Sequence, residues 1–473
     1  MPKVLFVYHN AFEEGYMPLA IASLAGMMKE NGVEAKLFDT SFWRDINSDI
    51  TESNREVREK LGGYKKVEGF NPQRELVDIK QKFRETVMEF KPDLIAATST
   101  SHEFNSLVEF IEPTKKEFNI PVILGGSHPT SVPEKVLKKE GVDIVCIGEG
   151  ENPLLELVRR MERGADITTI SSLWVKTLGG EIVKNQVRRQ SDNLDDLPEP
   201  DWDILDKRHR VRPFEGELKQ YGFFESSRGC PHNCSYCLNA TLHKLDTEGG
   251  KSFKVRYHSP KEVVRRVKKY KEKYGFNHIQ FIDENLASMS LDKLKEFAEL
   301  YKKEIGVNFF TQCRPEAFYG TPEKAKIMAD MGCVMIGMGA ESADEELCRR
   351  VLNRPMKTEI LEKSVKILKE AGILLAAYYI IGFPTETKEM IQKTIELHRR
   401  IKPYRQSVRF LHPYPGTPIR ELCVKGGYFD DDYEDKAVFQ SYFIEPILNL
   451  PSPPHPTKEE LIELRNEFSV RDW

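Results

Sequence analysis

Short apolar runs alternating with amphipathic stretches set the rhythm of the first 165 residues. "KVLFVY" (3–8) reads as a buried strand, "PLAIASLAGMMKENG" (18–32) as a helix ended by Gly32, and "VEAKLFD" as a second strand. Past a polar stretch around residues 41–75, "PDLIAATSTS", "IPVILGG" and "VDIVCIGEGE" supply three more strands, each followed by a helical pattern. This alternation predicts a doubly wound parallel sheet whose ligands gather at the carboxyl ends of its strands. The loops to watch are therefore "YHNAFEEGY", "TSTSHEF", "GGSHPTSVPE" and "GEGEN".

Residues 170–185 read as a small hairpin. The acidic, proline-bearing "SDNLDDLPEPDWDIL" (191–205) lacks helical periodicity and reads as a linker. A second alternating series then begins: "QYGFFESS", "HIQFID", "VNFFTQ", "VMIGMG", "ILLAAYYIIG" and "SVRFLH". In the helix at 259–274, Ser259 is placed to cap, Pro260 suits the first turn and Glu262 completes a capping box. Val263, Val264, Val267, Tyr270 and Tyr274 fall on one face. Six strand-helix units predict a barrel or part of one, with chemistry at the strand C-termini. Strand alternation splits Tyr378 and Tyr379 between barrel interior and helix packing. A polar tail with an apolar insert, "FIEPILNLP", and a last helix close the chain, and the tail could lid the barrel mouth. The expected division is 1–165, 166–215 (hairpin and linker), 216–424 (barrel) and 425–473 (extension).

Charge and cysteine usage narrow the setting. With 70 basic and 74 acidic residues among 473, nothing pulls the chain in bulk toward nucleic acid or a membrane surface. No apolar run reaches the length of a bilayer span and no signal-like leader opens the chain, so a soluble, cytoplasmic protein is expected. Eight cysteines, five of them scattered singly, do not form a secreted disulfide framework.

The other three stand together in "SSRGCPHNCSYC" (226–237). Cys230, Cys234 and Cys237 follow C-x3-C-x2-C, a spacing that lets one loop after the first barrel strand aim three sulfurs at a common point. A structural zinc would need a fourth ligand, which His232 could supply, although such sites normally come as two separated pairs. Three thiolates on one loop suit a 4Fe-4S cluster whose fourth iron is left open to something other than protein.

In this setting the motif resembles the radical S-adenosylmethionine enzymes, and the resemblance extends over roughly residues 220–420. It implies that the methionyl amine and carboxylate of S-adenosylmethionine chelate the open iron and that one electron from an external reductant, of flavodoxin or ferredoxin type, yields a 5′-deoxyadenosyl radical. Tyr236 matches the family's aromatic position beside the adenine. "FIDEN" stands where the family usually has a Gly-Gly-Glu-like segment for the methionyl amine, and offers Asp283 and Glu284 instead; the two acids could also be helix caps. "GMGAESAD" places Glu341 and Ser342 where the family often holds ribose and carboxylate. "YYIIGFPTET" brings Gly382 and Pro384 to the adenine. Arg314 either binds the cofactor carboxylate or pairs with an acid on the barrel rim.

The N-terminal stretch "PVILGGSHPTSVPEKVLKKEGVDIVCIGEGENPLLEL" and the "LDDLPEPDWD" linker resemble the cobalamin-binding part of one large branch of that family. The implied fold is α/β: a Rossmann-like cobalamin-binding domain, a partial (β/α)6 TIM-like barrel and a small extension. Ser99, Thr100 and Ser101 would offer hydroxyls to the nucleotide tail, while Gly125 and Gly126, with Ser127, Gly148 and Glu149, would let backbone approach the corrin or its tail. The D-x-H-x-x-G segment that supplies a cobalt ligand elsewhere is absent. His9, His102 and His128 are the nearby imidazoles, each more in keeping with a hydrogen-bonded residue than a ligand, so the cobalt's lower face is expected to lack a protein ligand.

The resemblance implies a cobalamin-dependent C-methyltransferase acting on an unactivated carbon of a small-molecule, lipid or peptide substrate. Two other readings stand beside it: a related enzyme that cyclises, oxidises or rearranges its substrate without methyl transfer, and a non-catalytic iron-sulfur or zinc module. A first domain that has lost its cofactor is also compatible with the sequence.

Overall fold

The computed structural model describes residues 1–11, 17–46, 67, 75–188, 191–248, 254–436 and 445–468. Residues 12–16 of the "YHNAFEEGY" loop, most of the polar stretch at 41–75 and the first two residues of "FIEPILNLP" lie outside the described residues.

The first apolar run is β1 (Lys3–Tyr8), from which the chain passes through α1 (Leu19–Glu30) to β2 (Glu34–Asp39). A small parallel pair follows, β3 (Trp43–Asp45) with β4 (Glu75–Val77), then α2 (Ile79–Phe90), β5 (Leu94–Thr98), α3 (Phe104–Phe118), β6 (Val122–Gly125), β7 (Ile144–Cys146) and α4 (Glu151–Glu162). Together with β8 (Leu173–Lys176) and β9 (Ile182–Lys184), these build a seven-stranded sheet in the order β2-β1-β5-β6-β7-β8-β9. Alternation along β1 explains the double winding. Val4 and Phe6 join a core with Ile21, Met28, Leu154 and Leu157 under α1 and α4. Leu5 and Val7 join the opposite core with Phe83, Val87 and Leu107 under α2 and α3. The strand order reverses between β1 and β5, which puts a crevice at their carboxyl ends.

The hairpin at 170–185 is the edge of this sheet rather than part of a linker. β8 pairs antiparallel with β7, and Leu173 and Val175 are buried beside Ile144 and Cys146. The linker after it holds only short 3-10 turns, at Leu194–Asp196 and Trp202–Ile204, yet it is well anchored. Trp202 is fully buried, stacked on Phe224 and Tyr270, while Asp201 donates its N–H to the Ala22 carbonyl of α1 at 2.7 Å. Tyr270 donates its hydroxyl to the Pro200 carbonyl, so the linker rivets both sheets' helices together.

The second sheet opens with β10 (Val211–Phe214), antiparallel to β11 (Glu217–Phe224). After the short antiparallel pair β12 (Ser227–Arg228) and β13 (Arg256–Tyr257) come β14 (His278–Phe281), β15 (Phe309–Gln312), β16 (Cys333–Glu341), β17 (Leu374–Ile381) and β18 (Arg405–Phe410). β11 and β14 through β18 are all parallel, and β18 lies at an open edge, giving a partial barrel. Tyr221 pairs with His278, Gln280 with Phe310, Gln312 with Gly337 and Tyr378 with Ser407, a row that faces the barrel interior. The residues between them pack outward: Phe281 against Phe297, and Tyr379 against His398 and Phe468.

Outer helices follow the strands: α5 (Leu238–Glu248), α6 (Pro260–Tyr274), α7 (Leu291–Glu304), α8 (Glu323–Met331), α9 (Thr358–Glu370), α10 (Lys388–Ile401), α11 (Pro418–Lys425) and α12 (Lys458–Asn466). Ser259 caps α6 by accepting from the Glu262 N–H, yet the capping box is only half formed. Linker residue Asp195 takes the Ser259 N–H, and the Glu262 side chain turns to Arg265 and Arg266. The full capping box appears at α12, between Thr457 and Glu460. That helix buries Leu461 and Leu464 in the barrel core, so it braces the outside of β17 rather than closing over the mouth. Among the described residues no helix is long and apolar enough to cross a membrane.

Candidate functional site

The cysteine loop leaves β11 already tied down. Asp283, buried at the end of β14, accepts hydrogen bonds from the Ser226 N–H, from the Ser226 hydroxyl at 2.6 Å and from the Ser227 hydroxyl. Further along, Ser235 donates its N–H to the Leu352 carbonyl and its hydroxyl to that of Val351, Asn353 donates to the Asn233 carbonyl, and His243 donates Nε2–H to the Cys230 carbonyl. A loop fixed at so many backbone points can aim side chains without help from a ligand.

Cys230 and Cys234 are buried and Cys237 is half-buried. Burial pushes the Cys230 and Cys237 thiols up, with the charge of Cys234 adding to both. Arg314 donates to the Cys234 sulfur at 3.4 Å, and Asn239 donates to that of Cys237 at 3.5 Å. Among the described residues no group of three or more His, Cys, Asp or Glu side chains is gathered closely enough to hold a single metal ion. Three thiols carried on one anchored loop, two of them accepting side-chain hydrogen bonds, fit a cubane that takes one sulfur per iron.

Beside the loop, Tyr236 sets its ring edge-on to Phe383 at 6.2 Å and its hydroxyl against the Glu341 carboxylate. Glu341 ends β16 with φ of 54°, a left-handed conformation unusual for a residue other than glycine. Burial raises its pKa, opposed by the nearby guanidinium of Arg354. Arg354 is itself buried. It donates to the Gly339 carbonyl at 2.6 Å, and its Nε–H is buried with no hydrogen-bond partner among the described residues. That unused donor in the barrel mouth matches the carboxylate that S-adenosylmethionine would bring. No motif marks Arg354 in the sequence, because it follows a short helix and meets its neighbours only through the fold.

Gly382 and Pro384 are buried beneath this region, with the Gly382 and Phe383 N–H groups both donating to Glu386 Oε2. Two expected contacts are directed elsewhere. The Asp283 carboxylate is spent on Ser226 and Ser227, and the Ser342 hydroxyl faces Thr394 on α10 and the Asp344 N–H. Arg314 pairs with Glu316 through Nε and Nη2, the rim-acid arrangement, and uses Nη1 on Cys234.

A cavity of about 420 Å³ runs from the switch-point crevice to the barrel mouth. Its inner wall is apolar, from Phe6, Ile21, Leu24, Ile123 and Leu154; Gly125, Gly126, Ser127, Gly148 and Glu149 line it, and Glu284, Arg228 and Gly229 close its far end. Gly126 has φ of 101°, and a Cβ there would lie 2.7 Å from the Thr98 hydroxyl and 2.8 Å from the Ser99 carbonyl, so no other residue fits. None of the three expected hydroxyls lines the cavity; Thr98 and Ser127 do. Ser99 turns its hydroxyl to the Thr100 carbonyl, Ser101 turns its own to His128, and Thr100 is exposed outside the lining. An apolar, backbone-lined slot bounded by loops fits a large flat cofactor with a slender tail.

Glu149 lines this cavity but spends its carboxylate on Arg256 and, at 3.4 Å, on Arg228. Arg228 also pairs with Glu151 and Glu225 at 2.8 Å each. Although burial opposes it, Arg228 and His258 hold Glu225 down to about 2. Glu284 is exposed on the cavity wall, and desolvation by the surrounding protein raises its pKa. No histidine lines the cavity among the described residues. His9 bonds Thr40 and Ser106, His128 bonds Ser101, and His102 packs edge-on against His412.

Residues 224–398 match the family model of the radical SAM superfamily, and residues 63–158 match that of the B12 binding domain. An uncharacterized methyltransferase of Pyrococcus horikoshii is 25% identical over 340 residues, covering 72% of this chain and 71% of its own. An anaerobic magnesium-protoporphyrin IX monomethyl ester cyclase of Rubrivivax gelatinosus is 24% identical over 462 residues, covering 94% of this chain and 73% of its own. The fold is shared with the radical S-adenosylmethionine methyltransferase TsrM from Kitasatospora setae, solved with cobalamin and a [4Fe-4S] cluster, at a TM-score of 0.65 and 19% identity over 90% of this chain and 78% of that one. It is shared too with the cobalamin-dependent S-adenosylmethionine radical enzyme OxsB, at a TM-score of 0.64 and 15% identity over 89% of this chain and 55% of that one.

Proposed function

The chain belongs to the radical S-adenosylmethionine enzymes that carry a cobalamin-binding domain, and from that membership we propose that it methylates an unactivated carbon of a small substrate. Its cofactors are a 4Fe-4S cluster, S-adenosylmethionine and cobalamin. When bound, they supply one-electron chemistry and a transferable methyl group. The protein's part is to hold, orient and exclude water.

Cys230, Cys234 and Cys237 would hold the cluster, with Arg314 and Asn239 donating to its thiolates. Tyr236, Glu341, Arg354 and the Gly382–Pro384 segment would frame S-adenosylmethionine. Glu284 offers a carboxylate between that site and the cavity. The slot between Phe6 and the Gly148–Gly150 turn would take cobalamin with no imidazole below the cobalt. The observation that supports methyl transfer best is the continuity of one cavity from the first sheet's loops to Gly229, next to the first cluster cysteine. Cofactors lodged at its two ends would share one water-poor volume with the substrate.

A second reading is favoured by the cyclase relative, whose similarity spans 94% of this chain. The test is product analysis. Anaerobically reconstituted enzyme with an external one-electron reductant of flavodoxin or ferredoxin type should convert S-adenosylmethionine to both S-adenosylhomocysteine and 5′-deoxyadenosine, and a methyl-deuterated cofactor should label the product. Cobalamin bound without label in the product would mean ring closure or rearrangement instead. Bound cobalamin should show a base-off spectrum that substitution of His9, His102 or His128 leaves alone.

A further inference from the structure

The loop at 382–386 is held only in part by its own bonds, from the Gly382 and Phe383 N–H groups to Glu386 and from the Glu386 N–H to the Phe383 carbonyl. Thr385 adopts φ of 70°, the left-handed region, where a β-branched residue is a genuine outlier. Its N–H donates to Nε2 of His455, 70 residues further on, at 3.0 Å. The other ring nitrogen, Nδ1, lies 2.8 Å from the Pro451 carbonyl. A carbonyl only accepts and a backbone N–H only donates, so the two partners fix the tautomer: Nδ1 carries the proton and Nε2 offers its lone pair. His455 itself is buried, at 6% exposed, while its partners Thr385 and Pro451 lie at the surface. Two further contacts act on the same loop. Leu461 of α12 packs over Gly382, 3.4 Å from where a Cβ would sit, and Glu386 Oε2 gathers the Gly382 and Phe383 N–H groups.

We infer that His455 is a positioning residue: the C-terminal extension is a strap that, through the His455–Thr385 hydrogen bond, holds the strained 382–386 loop in the shape that receives S-adenosylmethionine. This rests on the reading of Gly382–Pro384 as part of that cofactor's site. Neither residue touches the cluster cysteines, so the strap acts on cofactor affinity and not on iron.

Three substitutions test it. His455→Ala removes the acceptor, His455→Leu keeps bulk without it, and His455→Gln puts an amide oxygen where Nε2 stands. In cofactor-free protein, hydrogen–deuterium exchange of the peptide containing Thr385 should quicken in the Ala and Leu variants and stay near wild type in Gln. In reconstituted protein of unchanged iron content, the S-adenosylmethionine dissociation constant should rise about five- to tenfold in Ala and Leu, the size of one buried hydrogen bond, and recover in Gln. Wild-type exchange in His455→Ala would overturn the strap, as would faster exchange with unaltered affinity, or a Gln variant as weak as Leu. Failure of the family reading looks different: wild-type protein would bind no S-adenosylmethionine at all, and the exchange measurement would still decide whether His455 holds the loop.

Discussion

Arg314 donates a hydrogen bond from Nη1 to the Cys234 sulfur, 3.4 Å away, while Glu316 holds the rest of its guanidinium. A fixed cation beside a cluster thiolate favours the reduced, more negative cluster. Arg314→Gln should keep about four irons per chain but move the cluster potential to more negative values in a redox titration followed by electron paramagnetic resonance. Cys234→Ala should lose the cluster altogether. Unchanged potential in Arg314→Gln would show that the Glu316 pair cancels the charge.

Adjacent acids at the end of β14 have opposite duties. Asp283 is buried under three hydrogen bonds from Ser226 and Ser227, whereas Glu284 faces the cavity. Asp283→Ala strands those donors and should cost about 2–4 kcal/mol in urea unfolding. Glu284→Gln should leave stability within about 0.5 kcal/mol and instead weaken S-adenosylmethionine binding. Equal stability losses in the two variants would contradict this division.

Stability should fall on mild acidification. Burial lowers the imidazoles of His128, His398 and His412 to about 4 and that of His278 to about 3. These groups are more acidic folded than unfolded, so the unfolded chain binds protons first. Their contribution is complete above the unfolded pKa of about 6.5 and is lost as pH drops toward 4; each tenfold difference in proton affinity between the two states is worth about 1.4 kcal/mol. Urea midpoints measured from pH 7.5 to 4.5 should decline, and His278→Gln should flatten the slope. A midpoint independent of pH over that range would refute buried neutral imidazoles.

Gly26 on α1 touches the linker: a Cβ there would sit 2.0 Å from the Glu199 carbonyl. Since that atom is backbone, accommodation requires the linker to move. Gly26→Ala should lower the melting temperature and speed proteolysis around residues 191–201, although alanine is the better helix former. A variant as stable and protease-resistant as wild type would show that the linker is free to shift.

The sheets were legible because strand burial prints itself as apolar runs, as in "KVLFVY" and "ILLAAYYIIG", and the cysteines because their spacing is local. Side-chain partners across the fold were not. Nothing near Asp283 announces that Ser226 and Ser227 will claim it, and Arg354 reaches the site only because residues 351–353 bracket the cysteine loop from 116 to 120 positions away. The 170–185 segment was legible as a hairpin from its apolar "LWV" and "IV" runs, but not as the edge of the first sheet. Which strand it pairs with is decided by the antiparallel backbone ladder to β7, and a local apolar run does not name its partner. Ser99, Thr100 and Ser101 share composition with Thr98, and only the turn at the end of β5 separates the residue that reaches the cavity from those that do not.

Arg228 stands two residues before Cys230, yet two of its counter-charges, Glu149 and Glu151, belong to the other sheet's loop. The halves of this enzyme are therefore not interchangeable parts. Grafting a foreign cobalamin-binding unit onto the barrel would import a new cofactor loop and leave Arg228 and Arg256 as half-buried cations with fewer acids to answer them. A viable chimera has to exchange positions 149 and 151 together with 228 and 256, which makes this quartet, rather than the linker, the true seam of the molecule.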